Sequence, residues 1–192
     1  MRKHCLGRAH IDRIVTDTLQ SYLLALSVHH RLSVVKLMHG WIPCYNFLWT
    51  QKRTQSPLCP RCGLEKECKI HILKCPYVEA TQGRYNALIH MCGDLEVKKI
   101  DPAIIQIIHG KLHSFLQLGG RIHGDYDRKI CQAVIHQNII GWHQFLCGFV
   151  STKWQAAQLN MGNQIKNHWE GVLIKAVLQL QLHMEIWQDQ NR

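Results

Sequence analysis

The sequence predicts a mainly α protein, a helical bundle with a small CCHC zinc knuckle inserted in it. Three observations predict it. Apolar residues recur at helical spacing along most of the 192 residues, and no alternating strand pattern of useful length interrupts them. One short segment also gathers four of the nine cysteines. Hydrophobic residues make up 46% and charged residues 19%, enough to bury a core and too apolar for a disordered tail. The length suits one domain, or a module of something larger, and excludes a complete polymerase.

The elements follow in order. From His10 to about His30, Ile11, Ile14, Val15, Leu19, Tyr22, Leu23 and Leu26 predict one helix. Ser33 to His39 adds a turn or two, stopped by Gly40 and Pro43, and Pro43 then opens a short helix over Cys44–Arg53. Gln55-Ser56-Pro57 is loop. After Pro76 a helical pattern reaches about Ile89, interrupted by Gly83, with a break expected at Gly93-Asp94. Asp101-Pro102 reads as an N-cap with proline at the first helical position. The helix it opens carries Ile104, Ile105, Ile107, Ile108, Leu112, Phe115 and Leu116 and ends at Gly119-Gly120. Asp125 or Asp127 starts a helix running through Ile130, Val134, Ile135, Ile139, Trp142 and Leu146. Ser151 caps a last stretch that reaches Trp187, interrupted near Asn160–Gly162. The expected division is therefore N-terminal helices over 1–54, a zinc module over 55–77 and a helical region over 78–192.

Lys and Arg total 23 against 13 Asp and Glu, a formal +10, and the pI is about 9.3. Residues 1–80 hold 12 of the cations and 5 of the acids, so most of the surplus lies there. Such a balance favours polyanionic partners, nucleic acid before membrane surface. No stretch approaches 18 uninterrupted apolar residues, which argues against a membrane span. The basic start Met1-Arg2-Lys3-His4-Cys5 lacks the apolar core of a secretion signal. The expectation is an intracellular protein of nucleus or cytoplasm, with reduced thiols. Cys5, Cys44, Cys92, Cys131 and Cys147 then read as core thiols.

The informative segment is Cys59 to Pro76, with spacing C-x2-C-x8-H-x3-C over Cys59, Cys62, His71 and Cys75. Two cysteines two residues apart can turn both thiolates to one ion, and Gly63 permits the positive φ that such a turn needs. His71 and Cys75, at i and i+4, project from one helical face. Three thiolates and an imidazole suit a closed, tetrahedral Zn2+ site, with no open position for a catalytic water. Cys68 complicates the set. Cys68 and Cys75 are i and i+7, about 10.5 Å apart along a helix, too far to share one zinc. The fourth ligand is thus Cys75 or Cys68, with Cys75 favoured.

With Glu67 four residues before His71 and Pro76 after the last cysteine, this run resembles the zinc-binding region of non-LTR retrotransposon reverse transcriptases. His39-Gly40-Trp41-Ile42-Pro43, with Arg31 and Lys36 upstream, is similar to the segment leading into it. Ile140 to Gly148, with Ser151, Trp154 and Gln158, resembles the helical tail of related element-derived reading frames. The resemblance implies an accessory part of a reverse transcriptase, with the polymerase domain of a parent element as a partner. Two departures stand out. Cys68 replaces the usual Thr or Ser before the helix, removing a hydroxyl N-cap. No Asp-Asp pair or acidic cluster suits a polymerase, RNase H or nuclease, so the expectation is no enzyme.

Other constellations carry less. His109/His113 and His143/Cys147 are helical i,i+4 pairs lacking further ligands nearby in sequence, and no local signature supports a Cys–His nucleophile. Trp41, Tyr45, Phe47 and Trp49 lie near Lys52, Arg53, Arg61, Lys66, Lys69 and Lys74, a mixture suited to stacking bases and neutralising phosphates. The plainer reading makes the aromatics anchors of the zinc module. Trp142, Trp154, Trp169 and Trp187 read as core packing. The sequence thus points to a zinc-stabilised protein binding RNA or single-stranded DNA, with Arg61, Lys66, Lys69, Lys74, Lys52 and Arg53 as phosphate contacts. The alternative is a zinc-stabilised helical scaffold for protein, or an inactive retroelement remnant.

Overall fold

The computed structural model describes residues 8–39, 41, 43–118, 128–161 and 171–180. It is mainly helical: α1 (Arg8–Ile11), α2 (Thr16–Ala25), α3 (Val28–Met38), α4 (Tyr45–Thr50), α5 (Lys69–Lys74), α6 (Val78–Val97), α7 (Pro102–Phe115), α8 (Arg128–Ile140), α9 (Trp142–Leu146) and α10 (Lys153–Asn160). Residues 171–180 add a helical stretch. Among the described residues there is no strand, and two isolated bridges, Ile14 with Ser151 and Leu58 with Lys66, are the β-type pairings.

The helix expected over His10–His30 is broken twice. Val15 donates its N–H to the Val150 carbonyl, which pulls the chain out of helix before α2. Ser27 then starts α3, its Oγ accepting the His30 N–H at 3.4 Å while its carbonyl accepts the Arg31 N–H. Arg31 closes the other side of the gap by donating to the carbonyls of Leu24 and Leu26, near the end of α2.

The breaks expected at Gly83 and Gly93-Asp94 are absent. α6 runs through all three residues because its face of Ala80, Arg84, Leu88, Met91, Cys92 and Leu95 is buried, and packing outweighs a glycine's propensity cost of about 1 kcal/mol. The helix stops instead at Lys99, held at φ 59°. Asp101 caps α7 as expected, accepting the Ala103 N–H at 2.9 Å, with Pro102 at the first turn. α7 ends at Phe115, with Leu116 as its C-cap; Gly119-Gly120 and the expected starts Asp125 and Asp127 lie outside the described residues. The single helix expected through Trp142 and Leu146 divides at Gly141, whose φ of 101° no side-chain-bearing residue adopts readily. Ser151 does cap the next helix, its Oγ accepting the Lys153 N–H at 3.1 Å.

One apolar core joins these helices. Leu88, Leu95, Ile104, Ile108, Leu112, Ile130, Phe145, Trp154, Leu173 and Val177 form its centre, and Leu19, Val34, Met38 and Leu73 enter it from the first half of the chain. Gln137 ties the α8–α10 turn with both of its own polar atoms satisfied. Its Oε1 accepts from Ser151 N and Trp154 Nε1, and its Nε2 donates to the Phe149 carbonyl. Trp154 is fully buried and Trp142 packs against the core, as expected; Trp169 and Trp187 lie outside the described residues. Cys92 and Cys147 are buried and Cys44 and Cys131 half-buried, while Cys5 lies outside the described residues. No helix among the described residues is long and apolar enough to cross a membrane.

Candidate metal centre

The knuckle is a tight hairpin set against one short helix. Cys59 donates its N–H to the Glu65 carbonyl and Glu67 donates to the Pro57 carbonyl, so the two arms lie side by side. The turn between them closes by Gly63 N–H to the Cys59 carbonyl, with Gly63 at φ 64°. That turn aims Cys59 and Cys62 inward. α5 presents His71 from its middle, and Cys75 follows at its C-cap rather than on the helix itself.

The result is one cluster. The ligand atoms of Cys59, Cys62, His71 and Cys75 all lie within 4.8 Å of one another, a group able to hold a metal ion. Cys59 Sγ and Cys75 Sγ are 3.8 Å apart, and Cys62 Sγ is 3.3 Å from His71 Nε2. Cys68 stands outside it. It is exposed at the N-cap of α5, where its Sγ accepts the His71 N–H at 3.5 Å. The hydroxyl cap missing from the sequence is thus replaced by a thiol cap.

The surroundings split the thiols electrostatically. For Cys62, burial pushes the thiol up, but the N–H groups of Leu64 and Glu65 and hydrogen bonds from Cys59 and Cys75 outweigh it and bring it to about 7. Burial, and then the neighbouring Cys59 sulfur, push Cys75 up to about 12 against a lowering hydrogen bond from Tyr77. Three sulfurs packed this closely cannot all ionise alone, and a bound cation is what would permit it.

Several groups that hold the cluster in place were not legible in the motif. Glu65 Oε2 lies 3.2 Å from His71 Nδ1, fixing the ring so that Nε2 faces the sulfurs. Glu67 is buried and its Oε2 accepts the Tyr45 N–H at 2.7 Å, stapling the start of α4 to the knuckle. Arg84 is buried on α6 and donates to the Cys75 carbonyl at 2.7 Å. Its available signal was a lone arginine between Ala80 and Leu88 on an otherwise apolar face.

The six cations expected at phosphates divide into two groups. Lys52, Arg53 and Lys66 are exposed and Arg61 half-exposed. Lys69 and Lys74 are half-buried and face the bundle: Lys69 Nζ donates to Cys147 Sγ at 3.0 Å, and Lys74 Nζ sits 4.4 Å over the Phe115 ring. Both therefore fasten the module to α7 and α9. Trp41, Phe47 and Trp49 are 53%, 51% and 45% exposed, so they do not anchor the module in the core; Tyr45 is half-buried. Trp49, Thr50, Lys52 and Thr54 line an open cleft of about 520 Å³. His143 is exposed while Cys147 is buried, so that pair does not share one environment.

Comparison with protein families, with curated proteins and with solved structures finds no match to this chain.

Proposed function

We propose that Cys59, Cys62, His71 and Cys75 hold a structural zinc ion, and that the unit it pins binds single-stranded nucleic acid. The observation that carries the zinc is the 4.8 Å cluster. A tetrahedral zinc with bonds of about 2.3 Å to sulfur and 2.0–2.1 Å to nitrogen spaces its ligand atoms about 3.6–3.8 Å apart. The 3.8 Å and 3.3 Å separations already approach that figure. Four protein ligands leave no place for a reacting water, so the ion's role in this reading is to hold the fold and not to take part in catalysis.

Support for the nucleic-acid partner comes from charge and exposed rings together. Between Asp17 and Glu65 the chain has no acidic residue, while Arg31, Lys36, Lys52, Arg53 and Arg61 all fall there. Within the same stretch Trp41, Phe47 and Trp49 stand exposed. Rings stack on unpaired bases of any identity and cations neutralise the backbone, which is the chemistry of sequence-tolerant single-strand binding. Lys52, Arg53, Arg61 and Lys66 are the backbone contacts in this reading, and Lys69 and Lys74 contribute through their grip on the bundle. The resemblance of Cys59–Pro76 further supports an origin beside a retroelement polymerase, which an upstream polymerase reading frame in the neighbouring DNA would test.

A salt titration against single-stranded oligonucleotides decides the partner. Affinity falls as salt rises, and Lys52→Ala with Arg53→Ala flattens the log–log slope by about 1.4, at about 0.7 for each phosphate no longer neutralised. Binding absent at low salt, or indifferent to salt, would instead favour a protein-binding scaffold, for which exposed Leu64 and Val78 (72% and 75%) supply apolar surface. Polymerase or nuclease turnover by the purified chain would overturn the non-enzymatic reading.

A further inference from the structure

We propose that His109 and His113 of α7 form a metal site separate from the cysteine cluster, taking one divalent ion of the imidazole-preferring kind, with Zn2+ as its simplest occupant. The two residues sit at i and i+4, so their side chains leave the same side of α7 one turn apart. Their ring centroids are 5.6 Å apart. Two imidazoles bound to one tetrahedral zinc at 2.0–2.1 Å place their ring centres about 5.2 Å apart. The observed separation exceeds that figure by about 0.4 Å, so small side-chain rotations would bring the two rings to a chelating arrangement.

The second observation is an unmet demand. His109 Nε2 and His113 Nδ1 are both shut away from solvent, and neither has a hydrogen-bond partner. A buried imidazole nitrogen normally finds a donor, an acceptor or a water, and one that does not calls for an explanation such as an ion. A metal ion accepts a lone pair from each nitrogen and satisfies both at once. Burial, and then the proximity of His113, hold His109 below its ordinary pKa, so its ring is neutral near pH 7 and its lone pair is available. On the other side Tyr85 of α6 stands edge-on to His113, with centroids 6.3 Å apart, and limits the directions that ring can turn.

This site differs from the cysteine cluster in kind. Two neutral ligands supply no charge and fill only two of the ion's coordination positions. It would bind its ion more weakly than the closed cluster of three thiolates and an imidazole.

The test uses the full chain with the cysteine cluster already loaded with zinc. Further Zn2+ is titrated in while the histidine ring 15N and Hε1 resonances are followed. The proposal expects the rings of His109 and His113 to shift together and saturate with one added equivalent, while exposed His90 and His143 do not follow that curve. His109→Ala and His113→Ala should each weaken the added equivalent by about tenfold or more. The proposal fails if those two rings stay put at millimolar zinc, or if the double variant takes up the extra ion as well as the parent. The ring shifts are read on the unaltered protein, so the outcome does not depend on the variants folding.

Discussion

The segment of residues 43–68 and helix α7 stabilise themselves by opposite means. Across 43–68 two residues are buried, Cys59 and Glu67, and neither contributes a hydrocarbon side chain. α7, at little more than half that length, buries Ile104, Ile105, Ile107, Ile108 and Leu112. A chain stretch that short and that poor in buried carbon cannot offset the entropy of ordering it, about 1–2 kcal/mol of backbone entropy per residue. A staple would supply what that packing does not, and the cluster of Cys59, Cys62, His71 and Cys75 is the group placed to provide one. The bundle requires none. The same division shows in the aromatics, since a segment that does not rely on burying its rings leaves Phe47 and Trp49 exposed.

The sharpest way to break the comparison is to remove the metal proposed for the cysteine cluster. Chelation, or Cys75→Ala, should unfold the segment around the knuckle and leave the bundle standing. Zinc binding to small units of this sort is worth about 10–16 kcal/mol, all of it coupled to folding. Limited proteolysis should then cut within 43–76 while fragments containing α6 to α10 persist, and most of the far-ultraviolet helical signal should remain. The mirror change, Leu112→Ala, should cost about 2–5 kcal/mol of global stability while the protein keeps its full metal content. Identical cleavage patterns with and without metal would show that the segment stands on ordinary packing after all.

The two regions also differed in how well the sequence disclosed them. The four-residue cluster was readable because metal chemistry restricts residue type and spacing together. The periodic helices of the bundle were readable because α7 repeats isoleucine and leucine on one face behind an Asp-Pro start. What escaped were contacts set by tertiary structure. Val15 leaves helix to pair with Val150, a residue 135 positions away, and nothing local announces that. Gly83 and Gly93 look like breaks in isolation, yet the buried face of α6 carries the helix through both. Lys69 and Lys74 look like solvated cations beside a knuckle, until Cys147 and Phe115 arrive from the far half of the chain.

Glu65→Ala sharpens the comparison at intermediate scale, because it touches the staple without removing a ligand. The carboxylate orients His71 through Nδ1, and losing such a partner typically lowers metal affinity 10–100-fold. Glu65 is largely exposed, with 74% of its side chain open to water, so a loss near tenfold is expected, read by competition with a coloured chelator. Glu65→Gln should restore most of it, since an amide oxygen still accepts from Nδ1–H. An unchanged affinity in the alanine variant would mean that α5 alone fixes the ring.

The smallest effect concerns Cys68, and it discriminates most finely between ligand and scaffold. Its thiol caps α5 from outside the cluster, accepting the His71 N–H at a long 3.5 Å. Cys68→Ala should therefore leave metal content intact and cost at the lower end of the 0.5–2 kcal/mol usual for a lost N-cap, about 0.5 kcal/mol, because sulfur is a weak acceptor. Cys68→Ser should move the other way, since a hydroxyl oxygen is the stronger acceptor and a preferred N-cap group. The stability order serine above cysteine above alanine, at constant zinc, is the signature of a cap. Zinc lost in Cys68→Ala but kept in Cys75→Ala would exchange the two roles and dismantle the cluster as the structure draws it.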